Sequence, residues 1–160
     1  MVLLRSIPAP PSDGHLLDLG CGYGPIAVTL AARSPRATVW AVDVNERALL
    51  LTTQNARAAQ LANVVVVPPE EVPADVRFTA VYSNPPIRIG KPALHALLVR
   101  WLDRLEPGGS AWLVVQRHLG SDSLAAWLRE EGYEVTRRRS SRGYRLFEVK
   151  PLRPPSTEPR

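Results

Sequence analysis

Four short apolar runs limit what this chain can fold into, because each stops at residues that end a strand and each of the first two leads into a stretch of helical character. "HLLDLG" (residues 15–20) closes on a glycine, and "ATVWAVDV" (37–44) closes beside an acidic residue, Asp43. "VVVV" (64–67) is stopped by Pro68-Pro69, and "FTAVYS" (78–83) by Asn84-Pro85-Pro86. Runs this short, rich in β-branched residues and bounded by glycine and proline, read as buried strands. Pro25 stands at a natural first helical position ahead of "IAVTLAARS". A second helix is expected over roughly 46–61, which is rich in Ala, Leu, Arg and Gln.

The same alternation continues to the end of the chain. Leu94, Leu97, Leu98, Trp101, Leu102 and Leu105 recur at helical spacing, predicting a helix over about 92–105 that Pro107-Gly108-Gly109 ends. "SAWLVVQ" (110–116) is a fifth strand, and 121–131 a helix with Ser121 as its N-cap and Gly132 just beyond it. "YEVTRRRSS" and "YRLFEVK", with Ser-Arg-Gly between them, predict an antiparallel hairpin. Strands alternating with helices imply an α/β fold: a mostly parallel sheet, helices on both faces, and the hairpin at one side. A single domain over 1–150 accounts for all of this, with a Pro-rich tail over 151–160 expected to be disordered.

Composition narrows the setting. One cysteine excludes an internal disulfide framework and fits a reducing compartment. No apolar run reaches membrane-spanning length, and "MVLLRSIPAPPSDG" lacks a secretory pattern, so a cytoplasmic protein is expected. The net charge of +5 makes a polyanionic partner plausible. Five arginines, Arg137, Arg138, Arg139, Arg142 and Arg145, fall within "TRRRSSRGYR". That cluster reads equally well as a solvated hairpin.

Ligands of such sheets sit beyond the carboxyl ends of the strands, and three motifs fall there. In "DLGCGYGP", Gly20, Gly22 and Gly24 stand between a strand and a helix, where bare backbone N–H groups approach a ligand closely. The spacing is G-x-G-x-G; a dinucleotide fingerprint would place a third glycine where Pro25 stands. Asp18, two residues before the first glycine, suits a cationic amine better than a pyrophosphate. Asp43, 23 residues after Gly20, stands where an acid accepts both hydroxyls of a ribose. Taken singly, these features fit a tight turn and a helix cap; together they indicate a nucleoside-type ligand.

Here the chain resembles a known superfamily. "LLDLGCGYGPIAVTLA" looks like the first motif of the class I S-adenosylmethionine (SAM) methyltransferases, and "WAVDVN" like their second. The resemblance covers nearly the whole chain and implies a Rossmann-like, seven-stranded sheet with a C-terminal antiparallel hairpin. It implies SAM as cofactor, with Asp18, Gly20, Cys21, Gly22 and Gly24 at the methionine part and Asp43 and Val44 at the ribose end. Adenine is expected near "PPEEV", at Glu70 or Glu71.

The third motif, "SNPPIRIGK" (83–91), carries the chemistry. An exocyclic amine on a base is a poor nucleophile, because its lone pair is delocalised into the ring. If the Asn84 carboxamide oxygen and the Pro85 carbonyl each accept one N–H, that lone pair is aimed at the methyl group and developing positive charge is stabilised. Asn84 also borders the cofactor in this reading. Two prolines hold the acceptors without N–H groups that compete for them. The motif resembles the "NPP plus aromatic" signature of methyltransferases acting on adenine, guanine or protein glutamine; here Ile87 replaces the aromatic residue that stacks on the target. The longer string, with "VVQRHLGSDSLAAWL" (114–128), is similar to the small-subunit ribosomal RNA guanine-N2 methyltransferase family. That family carries an earlier segment with a Phe-Ser pair and a D-x-G-T element lining the pocket, and "MVLLRSIP" resembles the end of the helix that follows it.

The resemblance therefore implies methyl transfer to guanine N2 of rRNA or the small ribosomal subunit, with Asn84 and Pro85 catalytic. Pro86, Ile87, Arg88 and Lys91 would lie on the substrate side. A small-molecule or protein-glutamine N-methyltransferase, and a SAM-binding domain without turnover, remain open. His15, His95 and His118 are scattered, so no metal site is expected. Cys21 reads as a small turn residue, and Trp40, Trp101, Trp112 and Trp127 as core.

Overall fold

The structure is a computed structural model that describes residues 5–152. Seven strands form one sheet: β1 (Asp13–Leu19), β2 (Arg36–Val42), β3 (Val64–Val67), β4 (Phe78–Ser83), β5 (Leu105–Gln116), β6 (Tyr133–Ser141) and β7 (Tyr144–Pro151). Their order across the sheet is β3-β2-β1-β4-β5-β7-β6. The first five run parallel, while β7 is inserted antiparallel between β5 and β6. The order reverses between β1 and β4, which pair through Leu16↔Ala80 to Leu19↔Ser83. That junction is the switch point at which such sheets bind ligands.

Among the described residues four complete helices cover the sheet: α1 (Pro25–Arg33), α2 (Glu46–Ala58), α3 (Lys91–Leu102) and α4 (Ser121–Glu130). Alternation along each strand sorts the core into two layers. Leu17, Leu19, Val81, Leu113, Val115, Phe147 and Val149 pack with Leu94, Leu98, Trp101, Leu124 and Leu128 of α3 and α4. Leu16, Val39, Ala41, Tyr82, Trp112, Val114 and Leu146 share the other layer with Ala27, Leu30 and Ala31 of α1. The expected class I architecture is the observed one.

Local differences have physical causes. β5 begins at Leu105, ahead of Pro107-Gly108-Gly109, and α3 ends at Leu102. The register with β4 jumps from Phe78↔Leu105 to Ala80↔Ser110, so the proline and glycines form a bulge inside the strand. A Cβ on Gly109 would stand 3.0 Å from the Thr79 and Glu106 carbonyl oxygens, a close approach that glycine makes without any shift of the backbone. Ser121 is not the N-cap of α4. Gly120, at φ 87°, takes that place, and the Ser121 hydroxyl donates back to the Arg117 carbonyl at 3.3 Å. The hairpin turn is two residues, Arg142 and Gly143, both at positive φ, because Ser141 still pairs with Tyr144.

β7 runs to Pro151, one residue into the expected tail. Pairing with β5 ends at Val149, so the proline interrupts no ladder on that side. The rest of the tail, 153–160, and residues 1–4 lie outside the described residues; of the expected leading helix, Arg5 and Ser6 are helical. Trp101 and Trp112 are buried as expected, whereas Trp40 and Trp127 are only half-buried. Trp40 donates to His15 Nδ1 at 2.9 Å and Trp127 stacks on His95. Among the described residues, no helix is long and apolar enough to cross a membrane.

Candidate active site

The glycine turn hangs from the end of β2: the N–H groups of Gly20 and Cys21 both donate to the Val42 carbonyl, at 2.8 and 3.0 Å. Gly20, Gly22 and Gly24 have φ of 76°, 58° and 95°, a region that disfavours side chains. They do different things. Around Gly20 and Gly22 a Cβ would meet nothing within 4 Å, so bare backbone faces open space. A Cβ on Gly24 would come within 2.7 Å of Thr52 Cγ2, so this glycine makes room for α2 rather than for a ligand. Thr52 donates its hydroxyl to the Gly22 carbonyl at 2.8 Å, and Asn55 donates its amide to Tyr23 O at 2.7 Å. The two residues share one face of α2 and clamp the turn.

Asp18 is 1% exposed and lies beneath the turn. Its Oδ2 accepts the Ala27 N–H at 3.0 Å, one of the first-turn donors that a helix cannot satisfy internally. Its Oδ1 has no partner among the described residues. Burial raises this carboxyl to a pKa of about 7, against the lowering effect of the Ala27 bond and with a further push upward from Asp43. Asp18 therefore anchors α1 through one oxygen and leaves the other unbonded, beneath the open backbone of Gly20 and Gly22. Cys21 is buried as well, its thiol pushed up to about 11 chiefly by desolvation, which suits a turn residue and not a nucleophile.

Asp43, at the end of β2, accepts from Gly22 N–H through Oδ2 (3.1 Å) and from Asn45 N–H through Oδ1 (2.9 Å). Each oxygen keeps a lone pair for a hydroxyl. Val44 beside it is 85% exposed, an apolar surface standing free at the sheet's edge. Glu70 and Glu71 are exposed in a single 3₁₀ turn after β3. The strand order thus lays Glu70 and Glu71, Asp43, the glycine turn and Asn84 along one edge.

Asn84 follows Ser83, whose hydroxyl donates to the Leu19 carbonyl at 3.0 Å and ties β4 to the start of the glycine turn. The Asn84 side chain is exposed, and its carboxamide has no partner among the described residues. Pro85 is buried, and its carbonyl already accepts the Ile87 N–H at 2.9 Å. Pro86, at φ −78° and ψ 79°, is the centre of an inverse γ-turn that makes this bond. The expectation that no N–H competes for Pro85 is corrected here: one lone pair of that carbonyl is used and one is left.

Asn84, Pro85, Pro86, Ile87 and Arg88 form one wall of a cleft of about 320 Å³, closed on the other side by Gln116 and Leu119. A smaller cavity of about 50 Å³ adjoins it, bounded by Ile87, Lys91, Leu119 and His95. Gln116 donates its amide to the Tyr144 hydroxyl at 3.1 Å, which couples the cleft to β7. Gln116, Leu119, Thr52 and Asn55 are site residues that sequence reasoning missed. Only the strand order could have found the first two, since β5 follows β4 across the switch point.

The arrangement fits an elongated ligand with a nucleoside part: open space over two glycines, a carboxylate for a diol, and an apolar residue beside it. Among the described residues, no three His, Cys, Asp or Glu side chains converge as a metal site.

The model of one family, the methyltransferase small domain, matches residues 1–148. Protein YbxB of Bacillus subtilis (strain 168) is 34% identical over 152 residues, which cover 93% of this chain and 76% of YbxB. Ribosomal RNA small subunit methyltransferase C of Shewanella amazonensis is 32% identical over 121 residues, 72% of this chain and 36% of that protein. The chain thus spans about a third of the length of that relative. A tRNA1(Val) (adenine(37)-N6)-methyltransferase of Vibrio cholerae matches at 29% over 155 residues, 85% of this chain and 64% of that protein. Among solved structures, the Thermus thermophilus 16S rRNA N2 G1207 methyltransferase in complex with AdoMet and guanosine superposes with a TM-score of 0.72. At 24% identity, over 86% of this chain and 37% of that one, this is a likeness of fold.

Proposed function

This chain belongs to the methyltransferase small domain family, and from that premise we propose that it methylates the exocyclic N2 amine of a guanine in small-subunit rRNA. SAM, the methyl donor, supplies an electrophilic methyl group on its sulfonium. The observation that carries the reading is the Asn84 carboxamide, unpartnered and exposed in the cleft at the switch point. Its oxygen accepts one N–H of the target amine, and the remaining lone pair of the Pro85 carbonyl accepts the other. With both N–H groups held, the nitrogen lone pair is fixed in direction, and positive charge that develops on nitrogen meets two dipoles already in place. The methylated nitrogen then releases a proton to solvent, so no strong base is required.

Asp43 takes the ribose hydroxyls, Val44 packs beside them, and the open backbone over Gly20 and Gly22 makes room for the amino-acid part. The N–H groups of Gly20, Cys21, Gly22 and Gly24 are all bonded within the protein and do not face it, contrary to the expectation from the sequence. Glu70 and Glu71 stand where the adenine amine would end. Ile87 packs on the target base, with less stacking energy than an aromatic face would give. Arg88 and Lys91 are placed for phosphate. An rRNA substrate puts the enzyme in the cytoplasm.

Ile87 also favours a second reading, a small-molecule or protein-glutamine N-methyltransferase, because the same two acceptors hold any planar amine or amide. The deciding experiment supplies methyl-labelled SAM with rRNA from a strain lacking the gene, as free RNA and as small-subunit particles. Label on a single guanine N2 is the expected result, lost in Asn84→Ala while SAM affinity by calorimetry stays near wild type. Label on adenine, or on peptide glutamine alone, sinks the guanine reading. Wild-type turnover by the Asn84 variant sinks the mechanism.

A further inference from the structure

The cleft has a lip that this mechanism leaves unused. Gln116 and Leu119 line the cleft, so the single 3₁₀ turn Arg117–Leu119 runs along its mouth, with Arg117 and His118 exposed. The Arg117 N–H donates to the Gly143 carbonyl at 2.7 Å. A Cβ at Gly143 would lie 3.7 Å from His118 Cε1. These contacts dock the Arg142-Gly143 turn of the β6–β7 hairpin against the mouth. Arg88 stands on the facing wall, and among the described residues no Asp or Glu lines the cleft.

The arginine cluster divides into two kinds. Arg138, exposed, is held by Glu148 at 2.6 Å, and Arg145, 8% exposed, is paired with Asp122, so both charges are already met. Arg137 and Arg139 are exposed on β6 without an ion-pair partner among the described residues. Arg142, like Arg88 and Arg117, is exposed and has no ion-pair partner among the described residues. A nucleotide that puts its base into a cleft of this size leaves its two flanking phosphates at the mouth, one toward each wall. One cation on the lining, Arg88, and two beside the opposite rim, Arg117 next to Gln116 and Arg142 next to Gly143, suit such a strand; an uncharged small molecule or a peptide amide has no use for them.

We propose that Arg117 and Arg142 on the hairpin side and Arg88 on the opposite wall form a clamp for the phosphates flanking the target nucleotide. The proposal rests on the RNA reading above and identifies where the polynucleotide backbone runs: across the mouth, between the Asn-Pro-Pro corner and the hairpin tip. The contacts are to backbone and carry no sequence information.

The test uses fluorescence anisotropy with a labelled single-stranded RNA oligonucleotide, titrated over a series of KCl concentrations. Each phosphate contact on a single strand contributes roughly 0.7 to the slope of log Kd against log[KCl], so the triple variant Arg88→Ala/Arg117→Ala/Arg142→Ala should lose about 2 units of slope. Arg36→Ala, exposed at the amino end of β2 and remote from the cleft, should keep the wild-type slope. Unchanged SAM affinity in both variants shows that the fold is intact. A triple variant with the wild-type slope overturns the clamp, as does an equal loss in Arg36→Ala. Methyl transfer to RNA with the slope unaltered sinks the clamp alone. A lost slope in the triple variant, with wild-type protein that methylates no RNA, sustains the clamp and overturns the RNA-methylation reading on its own.

Discussion

Asp18 and Gly24 carry more of the site than their positions in a short motif suggest. Because burial holds the Asp18 carboxyl at about 7, against an ordinary 3.8, the native state retains a proton that the unfolded chain has lost between those values. Asp18 therefore contributes stability that is complete below about pH 4 and disappears as pH rises through 7. Asp18→Asn keeps an acceptor for the Ala27 N–H and removes the titration. Between pH 5 and 7, wild type should lose stability relative to this variant by up to about 1.4 kcal/mol per pH unit. Denaturant melts of both proteins check it, and parallel curves would refute it.

The two kinds of glycine separate by assay. Gly24→Ala, at φ 95° and against Thr52, should cost stability by more than about 1 kcal/mol. Gly22→Ala, at φ 58°, carries the left-handed strain but meets no side chain, so it should cost less stability than Gly24→Ala and lose SAM affinity as well. Asp43, the glycine turn and Asn84 are readable from residues because each is a contiguous motif at a strand end. The buried setting of Asp18 and the used lone pair of Pro85 are not readable, since both depend on a hydrogen bond formed only after folding.

At the scale of elements, α2 works as a brace. Thr52 and Asn55 hold two successive carbonyls of the glycine turn, Gly22 and Tyr23, from one helical face. Thr52→Val keeps the side chain's shape and leaves the Gly22 carbonyl without its donor. The expected cost is about 1 kcal/mol of stability together with weaker SAM binding and an unchanged kcat at saturating SAM. A kcat that falls while SAM affinity holds would assign Thr52 elsewhere. Nothing in the composition of α2 announces this, because residues 30 positions apart meet only through the packing of α2 on the turn. The failures of the sequence reading have the same origin. Ser121 is a good N-cap residue, yet Gly120 turns the chain first; Pro107-Gly108-Gly109 is a good breaker, yet the bulge against Phe78 and Thr79 absorbs it. Local propensity marks where chain direction changes, and tertiary pairing decides which residue does it.

For the whole molecule, alternating strands and helices sufficed to anticipate a parallel sheet with an antiparallel hairpin. They could not reveal that β7 would bring Tyr144 to Gln116, or Gly143 to Arg117. Tyr144→Phe tests that link: with its acceptor gone, the Gln116 amide is released at the cleft wall. On the proposed RNA substrate, KM should rise several-fold, with SAM affinity and the melting temperature nearly unchanged. An unaltered KM would make the bond incidental.

The insertion of β7 between β5 and β6 also sets a timetable for synthesis. The glycine turn, Asp43 and Asn84 all belong to the first 84 residues and can take shape while translation continues. The wall facing Asn84 waits for residues 143 and 144 to leave the ribosome, because they hold Arg117 and Gln116 in place. Until then β5 presents an unpaired edge. A nascent chain should acquire its cofactor surface before its substrate surface, and lack a closed cleft until residues 143 and 144 have been made.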